Sequence, residues 1–169
     1  MVYNESVSVG VVKFGSLEYW EGLKLRDEIL SRPLGISVFQ NYFENEWLKY
    51  HIGAFYDVDH VREPFVSSKL VGILMLCPED GGQRIKLRQM CVNVNFRNQG
   101  TGRKMVEWAE EYALNSGFSR IFLSARKSVA GFYEKCGYGA VGDEFEEVGI
   151  PHIGMEKALL SFQRKLESR

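Results

Sequence analysis

The sequence predicts a mixed α/β (α+β) domain on three observations. Segments with a two-residue hydrophobic period crowd the first half, a long amphipathic helix pattern opens the second, and turn residues punctuate both. Val7 to Phe14 alternates apolar with small residues and reads as the first strand. Ser16 can cap a helix that carries Leu17, Trp20, Leu23, Ile29 and Leu30 at roughly helical spacing, and Pro33-Leu34-Gly35 stops it. Residues 36–48 mix aromatic and polar side chains without a period, so a short helix and an ordered loop both stay open there. His51 to Asp57 and Lys69 to Cys77 are predicted strands of a hairpin, and Glu63-Pro64 between them excludes a continuous helix. Pro78-Glu79-Asp80-Gly81-Gly82 is turn chemistry, after which Arg84 to Val94 alternates through Ile85, Leu87, Gln89, Cys91 and Asn93 as a fourth strand. The first half is therefore expected to be antiparallel.

Past Phe96 the period changes. Arg103 to Asn115 puts Met105, Val106, Trp108, Ala109, Tyr112 and Ala113 on one helical face, and Gly117 ends that helix. Ile121-Phe122-Leu123 reads as a short strand and Ser128 to Lys135 as a helix closed by Gly137; strands follow near Ala140-Val141 and Ile153 to Glu156. No repeat or linker divides the chain and the charged tail after Ser161 reads as a solvated end, so residues 1–169 are expected to form a single domain.

Composition narrows the function classes. With 169 residues, 45% hydrophobic and 25% charged, the chain has a folding composition rather than a disordered one. Twenty-one basic against 22 acidic residues lack the basic excess of a phosphate-backbone binder, so no nucleic-acid partner is expected. Cys77, Cys91 and Cys136 show no CxxC spacing and no adjoining His pair, which points to neither a disulfide framework nor a metal site and fits a reducing compartment. No apolar run approaches the length of a membrane span and no secretory start is present, so a cytoplasmic protein without membrane association is expected.

The chemistry concentrates at Arg97-Asn98-Gln99-Gly100-Thr101-Gly102, between a strand and an amphipathic helix. Backbone N–H groups there can converge on an anion at the positive end of the helix. Gly100 and Gly102 remove Cβ atoms from the approach, and Arg97 and Arg103 add charge. The spacing is neither GxGxxG nor GxxxxGK[ST], which removes the dinucleotide and P-loop readings. Alone, the pattern equally describes a glycine-rich helix entry with surface arginines.

Context decides between them. Downstream stands Phe132-Tyr133-Glu134-Lys135-Cys136-Gly137-Tyr138, and the order strand, RxxGxG, helix, strand, helix, FYEKCGY resembles the acyl-CoA-binding core of the GNAT superfamily of N-acetyltransferases, from about Lys86 to Lys157. Leu25 to Leu30 with Pro33 to Ile36, and Phe145 to His152, resemble its ElaA-like branch. The resemblance implies a mixed, mostly antiparallel sheet of about six or seven strands, flanked by helices on both faces, whose fourth and fifth strands splay apart to take the pantetheine arm of acetyl-CoA. Backbone groups of Met90, Cys91 and Val92 would pair with that arm, and a bulge in the fourth strand could fix the splay. Arg97, Asn98, Gln99, Gly100, Thr101, Gly102 and Arg103 would hold the pyrophosphate. By the same resemblance Phe132 and Tyr133 would belong to the cofactor site, as would Arg126, which stands where relatives commonly carry Asn or Gln.

Acetyl transfer from a thioester to an amine needs a neutral nucleophile, a stabilised oxyanion and a proton for the departing thiolate. By the resemblance Tyr133 is the general acid, its phenol protonated at neutral pH, and a backbone N–H near Val92 serves the oxyanion. For the base, Glu147, His152, Glu28 and an ordered water stay open, since the fourth strand offers no carboxylate; Glu147 and His152 are carried forward as substrate-side candidates. Asp143, Glu144, Glu146 and Glu147 read as an exposed acidic run that could also draw a cationic amine. Cys91 lacks a basic neighbour in sequence that would make it a nucleophile. The expected activity is acetylation of a primary amine on a small molecule or peptide. The alternative is a non-catalytic acyl-CoA-binding module. The 22 aromatic residues that composition implies, 13% of the chain, leave room for a homodimer interface.

Overall fold

Alternation of side chains across a pleat and the capping chemistry of helix ends account for most of the architecture. The computed structural model describes residues 7–41, 45–57, 68–79 and 82–159. His60, the Glu63-Pro64 break, Asp80-Gly81 of the expected turn and the tail after Ser161 lie outside the described residues. Strands β1 (Val7–Val12), β2 (Tyr50–Asp57), β3 (Ser68–Pro78), β4 (Arg84–Val92), β5 (Arg120–Arg126), β6 (Gly139–Glu147) and β7 (Ile150–Ala158) form a seven-stranded sheet in the order β1-β2-β3-β4-β5-β7-β6. Helices α1 (Leu17–Arg26), α2 (Val38–Asn41), α3 (Thr101–Asn115) and α4 (Ala130–Lys135) flank it. The sheet is mixed and mostly antiparallel, as expected. No helix among the described residues is long and apolar enough to cross a membrane.

The described residues fall into two compact units, one running to Met75 with Gln89–Trp108, the other comprising Leu76–Arg88 with Ala109 onward. Strands β3 and β4 and helix α3 each pass from one unit to the other.

In the first unit β1 pairs antiparallel with β2, Val7 opposite Tyr56 and Val12 opposite His51. Ser16 caps α1 as expected, its hydroxyl accepting the Tyr19 N–H at 3.3 Å. The buried face of α1 is Tyr19, Gly22, Leu23, Leu25 and Arg26, whereas Leu17 and Trp20 of the expected stripe are exposed. The helix relaxes into a π-turn over Asp27–Ser31 and a 3-10 turn over Arg32–Leu34, and Gly35 ends it at φ +71°. Residues 36–48, left open by the sequence, contain α2 and a 3-10 turn at Glu46–Leu48. Alternate residues of β3 meet helices on opposite faces. A Cβ at Gly72 would lie 2.7 Å from Met105 Sδ of α3, while Ile73 Cγ1 lies 3.1 Å from a Cβ built at Gly22 of α1.

In the second unit β4 pairs parallel with β5 over Arg84–Lys86 and Arg120–Phe122, and β5 pairs antiparallel with β7 along its whole length, from Arg120–Ala158 to Arg126–His152. Ile121, Leu123 and Ala125 bury one face of β5. Strands β6 and β7 form a hairpin whose register shifts between Val141 and Phe145, with Gly142 at φ +74°. The strands are longer than the short apolar runs at Ala140-Val141 and Ile121–Leu123 promised, because ladder hydrogen bonds carry polar residues as readily as apolar ones.

Candidate functional site

The first unit contains the segment expected to cradle an anion. Strand β4 ends at buried Cys91 and Val92, and the Asn93 side chain accepts the Asn95 N–H at 3.0 Å to start a 3-10 turn. The Arg97 Nε–H donates to the Val92 carbonyl at 2.8 Å, which ties the first residue of the cradle to the strand end. Asn98 at φ +59° and Gly100 at φ +84° then curl the backbone into α3. The first helical hydrogen bond runs from the Lys104 N–H to the Gly100 carbonyl, so the N–H groups of Thr101 and Gly102 precede the intrahelical ladder. No acidic residue stands in that first turn. An open concavity of about 310 Å³ is lined by Gly100, Arg103, Lys104 and Glu107. Two cations there are engaged: Arg103 Nε donates to Glu107 Oε1 at 3.0 Å, and Lys104 Nζ to the Val7 carbonyl at 2.6 Å. The helix begins two residues before the expected Arg103, which places Thr101 and Gly102 in its first turn.

Within β4, Gln89 lies at φ +49°, a left-handed residue inside a strand and the local break expected of a bulge. Burial pushes the Cys91 thiol up to about 12, with Arg26 and Arg97 only partly offsetting it, so Cys91 is a neutral core residue.

Sequence reasoning did not find a buried polar cluster in the same unit. Arg26 Nη2 and Nη1 donate to Glu46 Oε1 and Oε2 at 2.9 and 3.2 Å, and Tyr19 Oη donates to Glu46 Oε2 at 2.8 Å. His51 Nε2 donates to the Glu46 carbonyl at 3.0 Å. The next residue, Asp27, accepts from the Val38 N–H at 2.8 Å and from Ser37 Oγ at 3.0 Å. Adjacent residues of α1 and its π-turn thus hold both ends of the segment from Ser37 to Glu46. Nothing in the sequence links positions twenty residues apart, though a Glu that must be buried by a following β-strand is visible only once the strand is placed.

The second unit carries the remaining candidates. Tyr133 on α4 is buried, with its ring edge-on to Phe132 at 5.0 Å and to Tyr138 at 5.8 Å. Burial, and secondarily Cys136, push its phenol up to about 12, so it holds its proton at neutral pH and can donate it. His152 pairs in register with Arg126 of β5 and Phe145 of β6, and its ring stacks on Phe145 at 5.9 Å. Its Nδ1 lies 2.8 Å from the Ile150 carbonyl. A carbonyl can only accept, so Nδ1 is the donor, and in the neutral ring the lone pair falls on Nε2. Glu147 is exposed at the hairpin end, on the same face of β6 as Phe145, beside the tight turn Val148-Gly149 at φ +52° and +72°. Glu144 is paired to Lys127 Nζ at 2.6 Å, and all of β6 is exposed. Among the described residues no group of three or more His, Cys, Asp or Glu could hold a metal ion.

Residues 31–159 match the family model described as an acetyltransferase (GNAT) domain. Among curated proteins, YyaT of Bacillus subtilis is 36% identical over 46% of this chain and 53% of its own length, and YitI of the same organism is 29% identical over 65% and 71%. The chain spans about half the length of the first of these relatives. Among solved structures, a Lactobacillus plantarum protein described as a candidate N-acetyltransferase is similar at TM-score 0.76 and 21% identity, covering 92% of this chain and 100% of its own. An aminoglycoside 6'-N-acetyltransferase complexed with coenzyme A is similar at TM-score 0.72 and 18% identity, covering 91% and 98%. Escherichia coli ElaA is similar at TM-score 0.68 and 17% identity, covering 89% and 99%.

Proposed function

Because the chain belongs to the acetyltransferase (GNAT) domain family, we propose that it transfers the acetyl group of acetyl-CoA to a primary amine by direct attack within a ternary complex. The observation that carries this reading is the acid-free first turn of α3, entered through left-handed Asn98 and Gly100, where the Thr101 and Gly102 N–H groups precede the intrahelical ladder. Such a turn suits a diphosphate. Arg97, Asn98, Gln99, Gly100, Thr101, Gly102 and Arg103 would hold it, the backbone of Met90, Cys91 and Val92 would pair with the pantetheine amides, and Arg126 and Phe132 would line the arm.

Acetyl-CoA supplies the activated acetyl group as a thioester. The protein's own part is proton management. Tyr133, kept protonated by burial, is assigned as donor to the departing sulfur. His152 is assigned as acceptor for the amine proton through Nε2, the nitrogen that holds the lone pair of the neutral ring when Nδ1–H faces the Ile150 carbonyl, and exposed Glu147 as the group that draws a cationic amine. Direct attack is favoured over an acyl-enzyme because the Cys91 thiol is buried and its ionisation suppressed. A place near the ElaA-like branch rests on the stretches Leu25–Leu30 with Pro33–Ile36 and Phe145–His152, and Cys77, Cys91 and Cys136, none of them in a disulfide, support a reducing, cytoplasmic setting.

Calorimetric titration with acetyl-CoA, followed by a primary-amine screen scored by CoA release, tests the reading. Gly102→Trp, which fills the approach to the first turn, should abolish binding. Tyr133→Phe should lower kcat about a hundredfold and leave acetyl-CoA affinity within about twofold. Retained affinity in Gly102→Trp would sink the diphosphate placement, and binding with no turnover of any amine would favour the acyl-CoA-binding module.

A further inference from the structure

Helix α4 ends in a Schellman motif built around the candidate acid. The Tyr138 N–H donates to the Tyr133 carbonyl at 3.0 Å, the Gly137 N–H to the Glu134 carbonyl at 2.9 Å, and Gly137 sits at φ +88°. The hydrophobic contact that accompanies such a cap is here the Tyr133–Tyr138 ring pair. A lysine from a distant strand grips this cap. Lys157 of β7 lies opposite Ile121, on the side of the sheet where Ile121, Leu123 and Met155 are buried. Its Nζ donates to the carbonyl of the capping residue Cys136 at 2.8 Å and to Glu110 Oε2 of α3 at 2.6 Å. It also lies 5.6 Å from the centre of the Tyr138 ring, and its stem would contact a Cβ at Gly137 at 3.5 Å. Packing of that face asks for an apolar residue, so a lysine there calls for another reason. The Tyr138 hydroxyl and Glu110 Oε1 are buried without hydrogen-bond partners. Burial and then the charge of the Glu110 carboxylate push the Tyr138 phenol well above its ordinary value.

We propose that Lys157, held by Glu110, is a positioning residue for Tyr133: it locks the end of α4 and the Tyr138 ring against which the Tyr133 phenol rests. This inference rests on Tyr133 acting as the acid. The ammonium donates to the Cys136 carbonyl, and an ion pair only partly open to water fixes the ammonium itself, so the cap and the two rings move as one body.

A double-mutant cycle tests it on the intact chain, with acetyl-CoA and the primary amine returned by the screen. Lys157→Met should lower kcat about tenfold with KM for acetyl-CoA unchanged, and should cost nothing further in a Tyr133→Phe background. Lys157→Arg should restore the rate. Equal losses in both backgrounds, or no loss, would overturn the positioning role while leaving the acid in place. Full kcat in Tyr133→Phe would instead remove the acid assignment and the positioning role with it. If Lys157→Met does not fold, Glu110→Gln, which keeps the lysine and loosens its hold, must show the same background dependence. A readout free of turnover is the Tyr133 resonance in protein labelled at tyrosine Cζ. It should be one sharp line in the parent, broadened or doubled in the loosened variant and sharp again in Lys157→Arg; an unchanged line counts against the proposal.

Discussion

Arg26 is sealed from water with its guanidinium forked onto Glu46, and the residues around that pair set how the first unit responds to acid. Burial opposes the charge on Glu46, but the hydrogen bonds and charge of Arg26 and the Tyr19 hydroxyl outweigh it and hold its carboxyl below the ordinary 4.5. Burial likewise holds His51 below its ordinary 6.5. Both folded-state values are depressed, so each group contributes stability above its unfolded value that is lost as pH falls through the folded one. Urea midpoints should therefore decline below about pH 6.5 and again below about pH 4.5, and His51→Gln should remove the first decline alone. A midpoint flat from pH 7 to pH 4 would contradict the burial of these groups. Glu46→Ala strands the Arg26 charge and should cost about 3–5 kcal/mol in a urea titration.

At the scale of elements, the most informative stretch is the end of β4 and its passage into α3. Gln89 holds a left-handed backbone inside a strand, which a β-branched side chain tolerates poorly. Gln89→Val should lower stability by about 1–2 kcal/mol, whereas Gln89→Gly should be close to neutral. Equal behaviour of the two variants in thermal unfolding would mean that the bulge relaxes without cost. The same stretch shows where reading by period succeeds and fails. Met105, Val106, Ala109 and Ala113 of the expected face of α3 are fully buried, because a fifteen-residue helix repeats its pattern enough times to be unambiguous. Helix α1 is shorter and its apolar stripe misleads. Leu17 and Trp20 face solvent, while Arg26, a residue no hydropathy pattern would bury, turns inward because Glu46 awaits it.

For the whole molecule, a ligand that binds only the folded chain must raise its stability. Acetyl-CoA at about a hundred times its Kd should add about 2.7 kcal/mol, seen as a rise of a few degrees in Tm. Gly102→Trp should unfold at a temperature that acetyl-CoA does not change. A shift that persists in that variant would place the ligand away from the first turn of α3.

Much of this was legible in the chain itself. Strand and helix periods, the Ser16 cap, the Gly35, Gly117 and Gly137 stops and the glycine-rich entry to α3 are local features, and local sterics and hydrogen bonding determine them within a few residues. What tertiary structure alone decided concerns partners far apart in sequence: which carboxylate meets Arg26, which ring stacks on His152, and which lysine closes the cap beneath Tyr133. Those choices follow from strand register and from the need of each buried polar group for a partner, and neither is written in the neighbours of any one residue.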